Sequence, residues 1–394
     1  MKTFKRKLVG QLCERLAEPR RFIQIISGPR QTGKTTAVLQ ALEECGLQSR
    51  FASADDPSLN SVEWIRNEWE QARLEQKRAE QDFILVIDEI QKIPQWSGMV
   101  KLLWDEDSRR KNPLKIILTG SSTLLLQKGL KESLAGRFEL LYCPHWNFAE
   151  CKEAFGYTLE DFLYFGGYPG AAILRKNEER WARYIGNSIV EPSISQDILF
   201  MEEIRKPALM KALFTLGASY SAQEISYTKI LGQLQDAGNT VTIAHYLELL
   251  AKANIICGLQ KFSENKLKVK QSSPRFMVFD TSLMTYSCGA SRKSFLENAT
   301  ARGHLTESAT GAYLLSRSRE EGFDVYWWRD RDKEVDFVLQ KGKDIVAIEV
   351  KSGRAKHIGG YLDFKKKYPK ARGFVIGASN CSLEDFLLGK LELF

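Results

Sequence analysis

The stretch Gly28-Pro29-Arg30-Gln31-Thr32-Gly33-Lys34-Thr35-Thr36 has the residue types and spacing to grip a polyphosphate. Its pattern is G-x-x-x-x-G-K-T. Gly28 and Gly33 carry no Cβ, so the backbone can curl with its N–H groups turned inward. Those amides and the start of a following helix would bind β- and γ-phosphate oxygens. Lys34 would lay its ammonium across the same phosphates, and Thr35 would offer its hydroxyl to Mg²⁺. Further along, Asp82-Phe83-Ile84-Leu85-Val86-Ile87 ends in Asp88 and Glu89. Asp88 would hold Mg²⁺ directly or through water, and Glu89 would orient and deprotonate the attacking water.

Two smaller groups complete this set. Leu114 to Thr119 is an apolar run ending in Gly120-Ser121-Ser122. Thr119 and Ser121 are both candidates for a hydroxyl that feels the γ-phosphate and reaches the lytic water, and the sequence does not choose between them. Ser121 or Ser122 capping a helix over 123–130 is an equal alternative. In Leu134-Ala135-Gly136-Arg137, Arg137 reads either as an arginine finger, in cis or from a neighbouring subunit, or as a surface residue. A finger acting between subunits would require a homo-oligomer.

A second constellation lies near the carboxyl end. Strand parity places Val346, Ile348 and Val350 on one face and Glu349 with Lys351 on the other. Glu334 and Asp336 share a face of the preceding strand. The hairpin can gather Asp336, Glu349 and Lys351, with Glu307 arriving from a helix. The order Glu…Asp…Glu-x-Lys resembles the PD-(D/E)xK nuclease and Holliday-junction-resolvase superfamily, although Val335 stands where a proline often precedes the acid. The resemblance implies a Mg²⁺ site of Glu307, Asp336 and Glu349, with Lys351 orienting or deprotonating water. Lys356, Lys365, Lys366, Lys367 and Arg372 would supply a phosphate track. The competing reading is a retained scaffold in which Lys351 pairs with Glu349 or Glu334.

Positioning these residues requires a definite set of elements. An amphipathic helix over 1–20 carries Leu8, Leu12 and Leu16 on one face. The apolar run 22–26 is a strand before the P-loop, and 37–45 is the helix after it. Strands are expected at 50–53, 82–89, 114–119 and 139–143, with a helix over 58–80. Residues 148–206 read as a helical lid broken at Gly166-Gly167-Tyr168-Pro169, a turn or a hinge. Helices at 208–220, 226–233 and 240–253, then strands at 255–261 and 276–279 around a basic segment, outline a winged helix. Lys266, Lys268 and Lys270 would neutralise DNA phosphates, but the third helix offers only Thr240, Thr242, His245 and Glu248 as polar groups. A linker is expected over 289–301, then a helix over 304–318 and strands at 325–329, 334–340 and 345–351.

In this order, GPRQTGKTT, VIDEIQKIPQW, LTGSS, LAGRF and the FGGYPG of Phe165 to Gly170 resemble a widespread prokaryotic family of AAA-type ATPases. That family is related to archaeal ATPases and STAND NTPases and carries a C-terminal domain of unknown function. The resemblance implies ATP and Mg²⁺ as ligands. It also implies an α/β fold: a P-loop NTPase parallel sheet of order 5-1-4-3-2, with the P-loop strand flanked by the fourth and fifth. The expected division is an ATPase core at 1–147, a lid at 148–206, a winged-helix module at 207–290 and an α/β nuclease-like domain at 301–394.

Composition sets the limits. The 394 residues are 43% hydrophobic and 27% charged, the mixture of a soluble protein of two or three domains. A formal charge of +8 is compatible with DNA but does not require it. Seven scattered cysteines without a C-x-x-C pair suggest free thiols and a reducing cytoplasm, and Cys143, His145 and Cys151 fit no zinc spacing well. No apolar run has membrane-spanning length. The favoured functional class is a DNA-directed ATPase whose nucleotide cycle controls a winged helix and a Mg²⁺-dependent nuclease-like domain; the alternative is an ATP-driven switch that binds protein partners around an inert C-terminal fold.

Overall fold

The structure is a computed structural model that describes residues 4–55, 61–79, 82–120, 133–198, 204, 206–234, 238–263, 272–351, 359–377 and 381–394. Ser121, Ser122, the expected 123–130 helix, Lys266, Lys268, Lys270 and Lys356 lie outside the described residues. The chain forms two compact units, Met1–Pro144 and His145–Phe394.

In the first unit, five parallel strands form one sheet. They are β1 (Ile23–Ser27), β2 (Gln48–Ser53), β3 (Phe83–Asp88), β4 (Lys115–Gly120) and β5 (Phe138–Tyr142). Their order is β2-β3-β4-β1-β5, and every neighbouring pair is parallel. This is the order that the resemblance implied. The central three strands, β1, β3 and β4, are buried along their whole length, while the edge strands β2 and β5 are partly open to solvent. Among the described residues the sheet is covered by α1 (Lys7–Ala17), α2 (Lys34–Cys45), α3 (Val62–Ala79) and α4 (Trp96–Arg110). Side chains alternate between two cores. Phe83, Leu85 and Ile87 pack with Trp64, Trp69 and Trp104 of α3 and α4. Ile84 and Val86 pack with Leu12, Leu16, Val38 and Ala41 of α1 and α2.

Helix α4 was not among the sequence expectations. It is held to α3 by a buried carboxylate: Asp107 accepts from Trp69 Nε1 at 2.7 Å and from Arg73 Nε at 2.8 Å.

In the second unit, the expected lid, hairpin module and C-terminal region share one compact body. Helices Phe148–Phe155 and Leu159–Phe165 begin with capping boxes at Asn147 and Thr158. Three helices, Pro207–Ser219, Tyr227–Gln233 and Thr240–Lys252, lead into an antiparallel hairpin of β6 (Ile256–Leu259) and β7 (Arg275–Val278). The stretch 289–301, expected as a linker, is instead largely helical. It holds helix Arg292–Glu297, capped by Ser291, and the start of Ala299–Glu321, capped by Asn298. Two N-caps so close together make two helices of a segment whose Ser and Asn content suggested a loop. Strands β8 (Asp324–Asp330), β9 (Lys333–Lys341), β10 (Asp344–Val350) and β11 (Arg372–Ile376) form a mixed sheet of order β11-β10-β9-β8, in which β11 is parallel to β10.

The Gly166-Gly167 break is a socket. Asp280, fully buried at the end of the hairpin, accepts from Gly167 N–H at 2.7 Å and from Ser282 N–H at 3.0 Å. A Cβ on Gly166 would overlap that carboxylate, and one on Gly167 would overlap the Trp146 carbonyl. Gly156 has nearly the same φ, 66° against 69°, but is an ordinary left-handed cap at ψ 36° with open space around it, whereas Gly166 lies at ψ −164°, a conformation essentially confined to glycine. Gly156→Ala therefore carries only the left-handed backbone cost of about 1–2 kcal/mol. Gly166→Ala adds overlap with a buried carboxylate and is expected to cost clearly more. Urea unfolding of the two variants checks this, and equal losses would contradict the socket.

Candidate functional site

The nucleotide site is built where β1 turns into α2. Gly33, at φ 91°, is the residue from which α2 starts, and Gln31 is also left-handed at φ 56°. Alternating backbone conformations of this kind turn successive amides to one side. Gly28 lies against the end of β5, where a Cβ would overlap the Cys143 carbonyl. Cys143 N–H donates to Ser27 O at 2.7 Å, and Thr32 Oγ1 donates to Pro29 O at 3.0 Å, which close the loop on itself. Lys34 is buried, and its ammonium donates to the Gly28 carbonyl at 3.1 Å and the Pro29 carbonyl at 2.7 Å. It lies folded along the inside of the loop it belongs to.

The metal side of the site is a chain of hydroxyls and carboxylates. Thr35 Oγ1 donates to Asp88 Oδ1 at 3.1 Å and also lies 3.3 Å from Oδ2. Thr119 Oγ1 donates to Asp88 Oδ1 and accepts from Glu89 N–H at 3.3 Å. Burial pushes the Asp88 carboxyl up from its ordinary range, and the Thr119 and Thr35 hydroxyls oppose that. Glu89 sits at φ 53°, a left-handed conformation that a glutamate adopts at a cost, and Gln91 donates to its carboxylate. The backbone thus changes direction at Glu89, directly after the end of β3.

The residues present fit Mg²⁺ and a nucleotide on two observations. Ser27 Oγ, immediately before the loop, is a buried polar atom with no hydrogen-bond partner. Thr35 and Asp88, the two oxygen donors expected of a Mg²⁺ site, are already within hydrogen-bond distance of each other.

Of the two hydroxyls left open by the sequence, Thr119 is joined to Asp88 and Glu89, while Ser121 lies outside the described residues. Arg137 does not join the site. It precedes β5 and so lies at the amino edge of the sheet, where its carbonyl accepts from Ile23 N–H at 2.9 Å. The P-loop follows β1 at the opposite edge. The Arg137 guanidinium forks onto Asp105 of α4 at 2.8 and 3.1 Å. A finger role in cis is thereby removed. One supporting residue escaped sequence reasoning altogether. Arg6, buried, braces the loop through Thr32 O at 3.1 Å, Pro144 O at 2.9 Å and Cys143 Sγ at 3.1 Å.

The C-terminal constellation is assembled differently from the expectation. Glu307 and Asp336 do meet, but around Arg275 of β7. Its Nη2 lies 3.1 Å from Glu307 Oε2 and 3.7 Å from Glu334 Oε1, and its Nη1 lies 3.5 Å from Asp336 Oδ1. Glu349 accepts from Tyr361 N–H at 2.7 Å, with Lys351 Nζ 3.5 Å away, and the Lys351 charge also acts on Glu307 and Asp336. The β8–β9 register is irregular between Tyr326 and Trp328, with one extra residue on β9, whereas the β9–β10 register is regular up to Phe337 and Ile348. Burial, then the Asp336 charge, pushes the Glu307 carboxyl up, and burial raises Asp336; the Arg275 charge opposes both shifts. Among the described residues, no group of three or more His, Cys, Asp or Glu is placed to hold a metal ion. Lys366 pairs with Asp363 at 2.8 Å, Lys367 with Asp330 at 3.8 Å, and Lys365 and Arg372 donate to the carbonyls of Ala371 and Leu393. All seven cysteines are free thiols.

Comparison with known families adds to this geometry. Residues 20–152 match the family model of an AAA domain, which contains the whole nucleotide site. Residues 156–294 and 302–387 match two domains of unknown function, DUF8612 and DUF4143. No curated protein matches the chain. Among solved structures, the Thermotoga maritima RuvB Holliday junction branch migration motor is 15% identical. That match covers 67% of this chain and 93% of the other at a TM-score of 0.35. The Aeropyrum pernix ORC2 protein, in ADPNP–ADP complexes, is 11% identical, with 79% and 96% covered at a TM-score of 0.36. TM-scores this low add nothing to the reading of the site. An AAA domain with this P-loop supports nucleotide binding and ATPase activity. Among the described residues, no helix is long and apolar enough to cross a membrane.

Lys34→Ala removes the ammonium expected to meet the β- and γ-phosphates and should abolish ATP binding in a calorimetric titration. Retained tight binding would exclude the P-loop as the nucleotide site.

Proposed function

We propose that this protein is an ATP-hydrolysing switch whose nucleotide cycle acts on a second unit that binds a macromolecular partner. The observation that carries the reading is the connected path Thr35–Asp88–Thr119–Glu89, in which one carboxylate links the start of α2 with the ends of β3 and β4. Thr35 and Asp88 are the residues that would hold Mg²⁺. When bound, the metal would draw charge from the β- and γ-phosphates as the terminal phosphoryl group leaves. The loop amides and Lys34 bind the phosphates and stabilise the charge that develops on them. Glu89 orients the attacking water and takes its proton. Thr119 fixes the direction of Glu89 through its backbone N–H and of Asp88 through its carboxylate.

For the second unit, a protein partner is favoured over DNA. The three helices and the β6–β7 hairpin have the outline of a winged helix, but the third helix pairs its Lys252 with Glu248. The described cations of the expected phosphate track are engaged by the chain's own carboxylates and carbonyls. A third helix with few described cations, one of them paired, suits packing against protein. The nuclease-like sheet then acts as a scaffold.

Glu89→Gln is expected to bind ATP as the wild type does and to hydrolyse it roughly 10²–10⁴-fold more slowly. Single-turnover phosphate release checks this, and wild-type turnover would remove Glu89 from the role of base. In a titration with linear, branched and single-stranded DNA at low ionic strength, the full chain is expected to show no salt-sensitive binding. Binding whose logarithm falls steeply with the logarithm of salt would overturn the preference for a protein partner.

A further inference from the structure

The carboxylates that resemble a metal centre surround an arginine. Arg275 is the first residue of β7 and is almost fully buried. Its Nε donates to Ala222 O at 2.9 Å and its Nη1 to Asp336 O at 3.3 Å, which aims the planar fork. The outer nitrogens then face Glu307, Glu334 and Asp336 at 3.1 to 3.7 Å. These three acids come from the Ala299–Glu321 helix and from β9, whereas the arginine comes from the hairpin module. A second bridge runs beside the first. Arg329 of β8 reaches Glu224, next to the hairpin, and also Glu334 of β9. Between the bridges lies an open polar cavity of about 260 Å³, lined by Glu224, Arg275, His304, Glu307, Arg329 and Glu334.

Geometry separates this arrangement from a metal site. A divalent cation of the Mg²⁺ type draws oxygens to about 2.0–2.1 Å from one point. Here the oxygens are spread around a flat five-donor group, and two further acceptors take backbone N–H groups. Asp336 Oδ2 accepts from Val350 N–H at 2.7 Å, and Glu349 Oε1 from Tyr361 N–H at 2.7 Å. The fork shape of a guanidinium matches carboxylates in a way that an ammonium does not.

We propose that the Glu307, Glu334 and Asp336 carboxylates are a receptor for Arg275 rather than a metal centre, and that this ionic latch fastens the hairpin module to the C-terminal sheet. The same junction is closed on its apolar side. Phe262, just past β6, donates its N–H to Trp327 O at 2.6 Å and packs among Tyr326, Phe364 and Tyr368. Trp327 Nε1 returns a bond to Leu259 O at 3.1 Å. The latch is thus the polar half of an interface whose other half is aromatic, and it does not depend on the ATPase reading.

The test uses the full-length, nucleotide-free chain. Thermal unfolding of the wild type is measured with and without millimolar Mn²⁺, and amide exchange is followed in β9 and in Ala299–Glu321. The expected result is no Mn²⁺ shift in the wild type. Arg275→Gln should lower the unfolding temperature by roughly 6–12 °C, because it leaves buried carboxylates without their partner. It should also speed exchange in β9 at least tenfold while leaving ATP binding unchanged. Arg275→Lys should recover only part of the loss, since one compact charge cannot reach all three acids. Two results would overturn the proposal. One is Mn²⁺ stabilisation of the wild type that disappears in Asp336→Asn, which would make the cluster a metal site. The other is wild-type exchange and stability in Arg275→Gln. The first of these is read on the unmutated chain and stands even if Arg275→Gln does not fold.

Discussion

The Asp88 carboxylate is the point on which the nucleotide site depends. It takes hydroxyl hydrogen bonds from Thr35 at the start of α2 and from Thr119 at the end of β4, and it closes β3 itself. Three separate segments are therefore brought into register by one group. Burial acts against its charge, and the two hydroxyls act in its favour. A buried carboxylate whose charge is favoured by donors that a metal could replace is suited to a cation bound with nucleotide. The left-handed backbone at Glu89 follows from the same constraint, because its N–H must reach Thr119 while its side chain leaves the end of the sheet.

The second unit shows the same logic applied to structure. Asp280 ties the hairpin to the Gly166-Gly167 turn, and the Glu307, Glu334 and Asp336 cluster ties it to the mixed sheet through Arg275. Each buried charge is matched by donors from a different segment. Removing one partner of such a pair costs far more than the intact pair contributes, so these contacts determine which packing forms more than how stable it is. This explains why 145–394 is one compact unit although its sequence suggests three domains.

Much of the first unit was legible because its signals are local. The P-loop is contiguous, β1, β3 and β4 are unbroken apolar runs, and Asp88 and Glu89 stand at a strand end. Topology separates Arg137 from the P-loop of its own chain, which removes only the cis finger. A residue just before a parallel strand lies at the amino edge, while the phosphate loop follows a strand at the carboxyl edge. The helical 289–301 stretch was obscured by cap residues, whose Ser and Asn signals also mark loops. The C-terminal site misled for a deeper reason. Period-two parity grouped Asp336, Glu349 and Lys351; the β9–β10 register is regular up to Phe337 and Ile348, and the extra β9 residue lies on the β8 side, so what parity could not show is the arginine among these acids. Arg275, which occupies the cluster, comes from an element more than thirty residues away with no spacing signal to announce it. Nor does the sequence around Gly166-Gly167 indicate that its glycines make room for Asp280.

The central claim is that the loop from Gly28 to Thr36, with Asp88 and Glu89, is a working phosphoryl-transfer site. The most direct measurement is phosphate release by the unmutated full-length chain as Mg²⁺ and ATP are varied together. Release that saturates with the Mg²⁺–ATP complex and ceases when the metal is chelated is the expected result. A chain that binds the complex yet liberates no phosphate under any tested metal concentration would contradict the account.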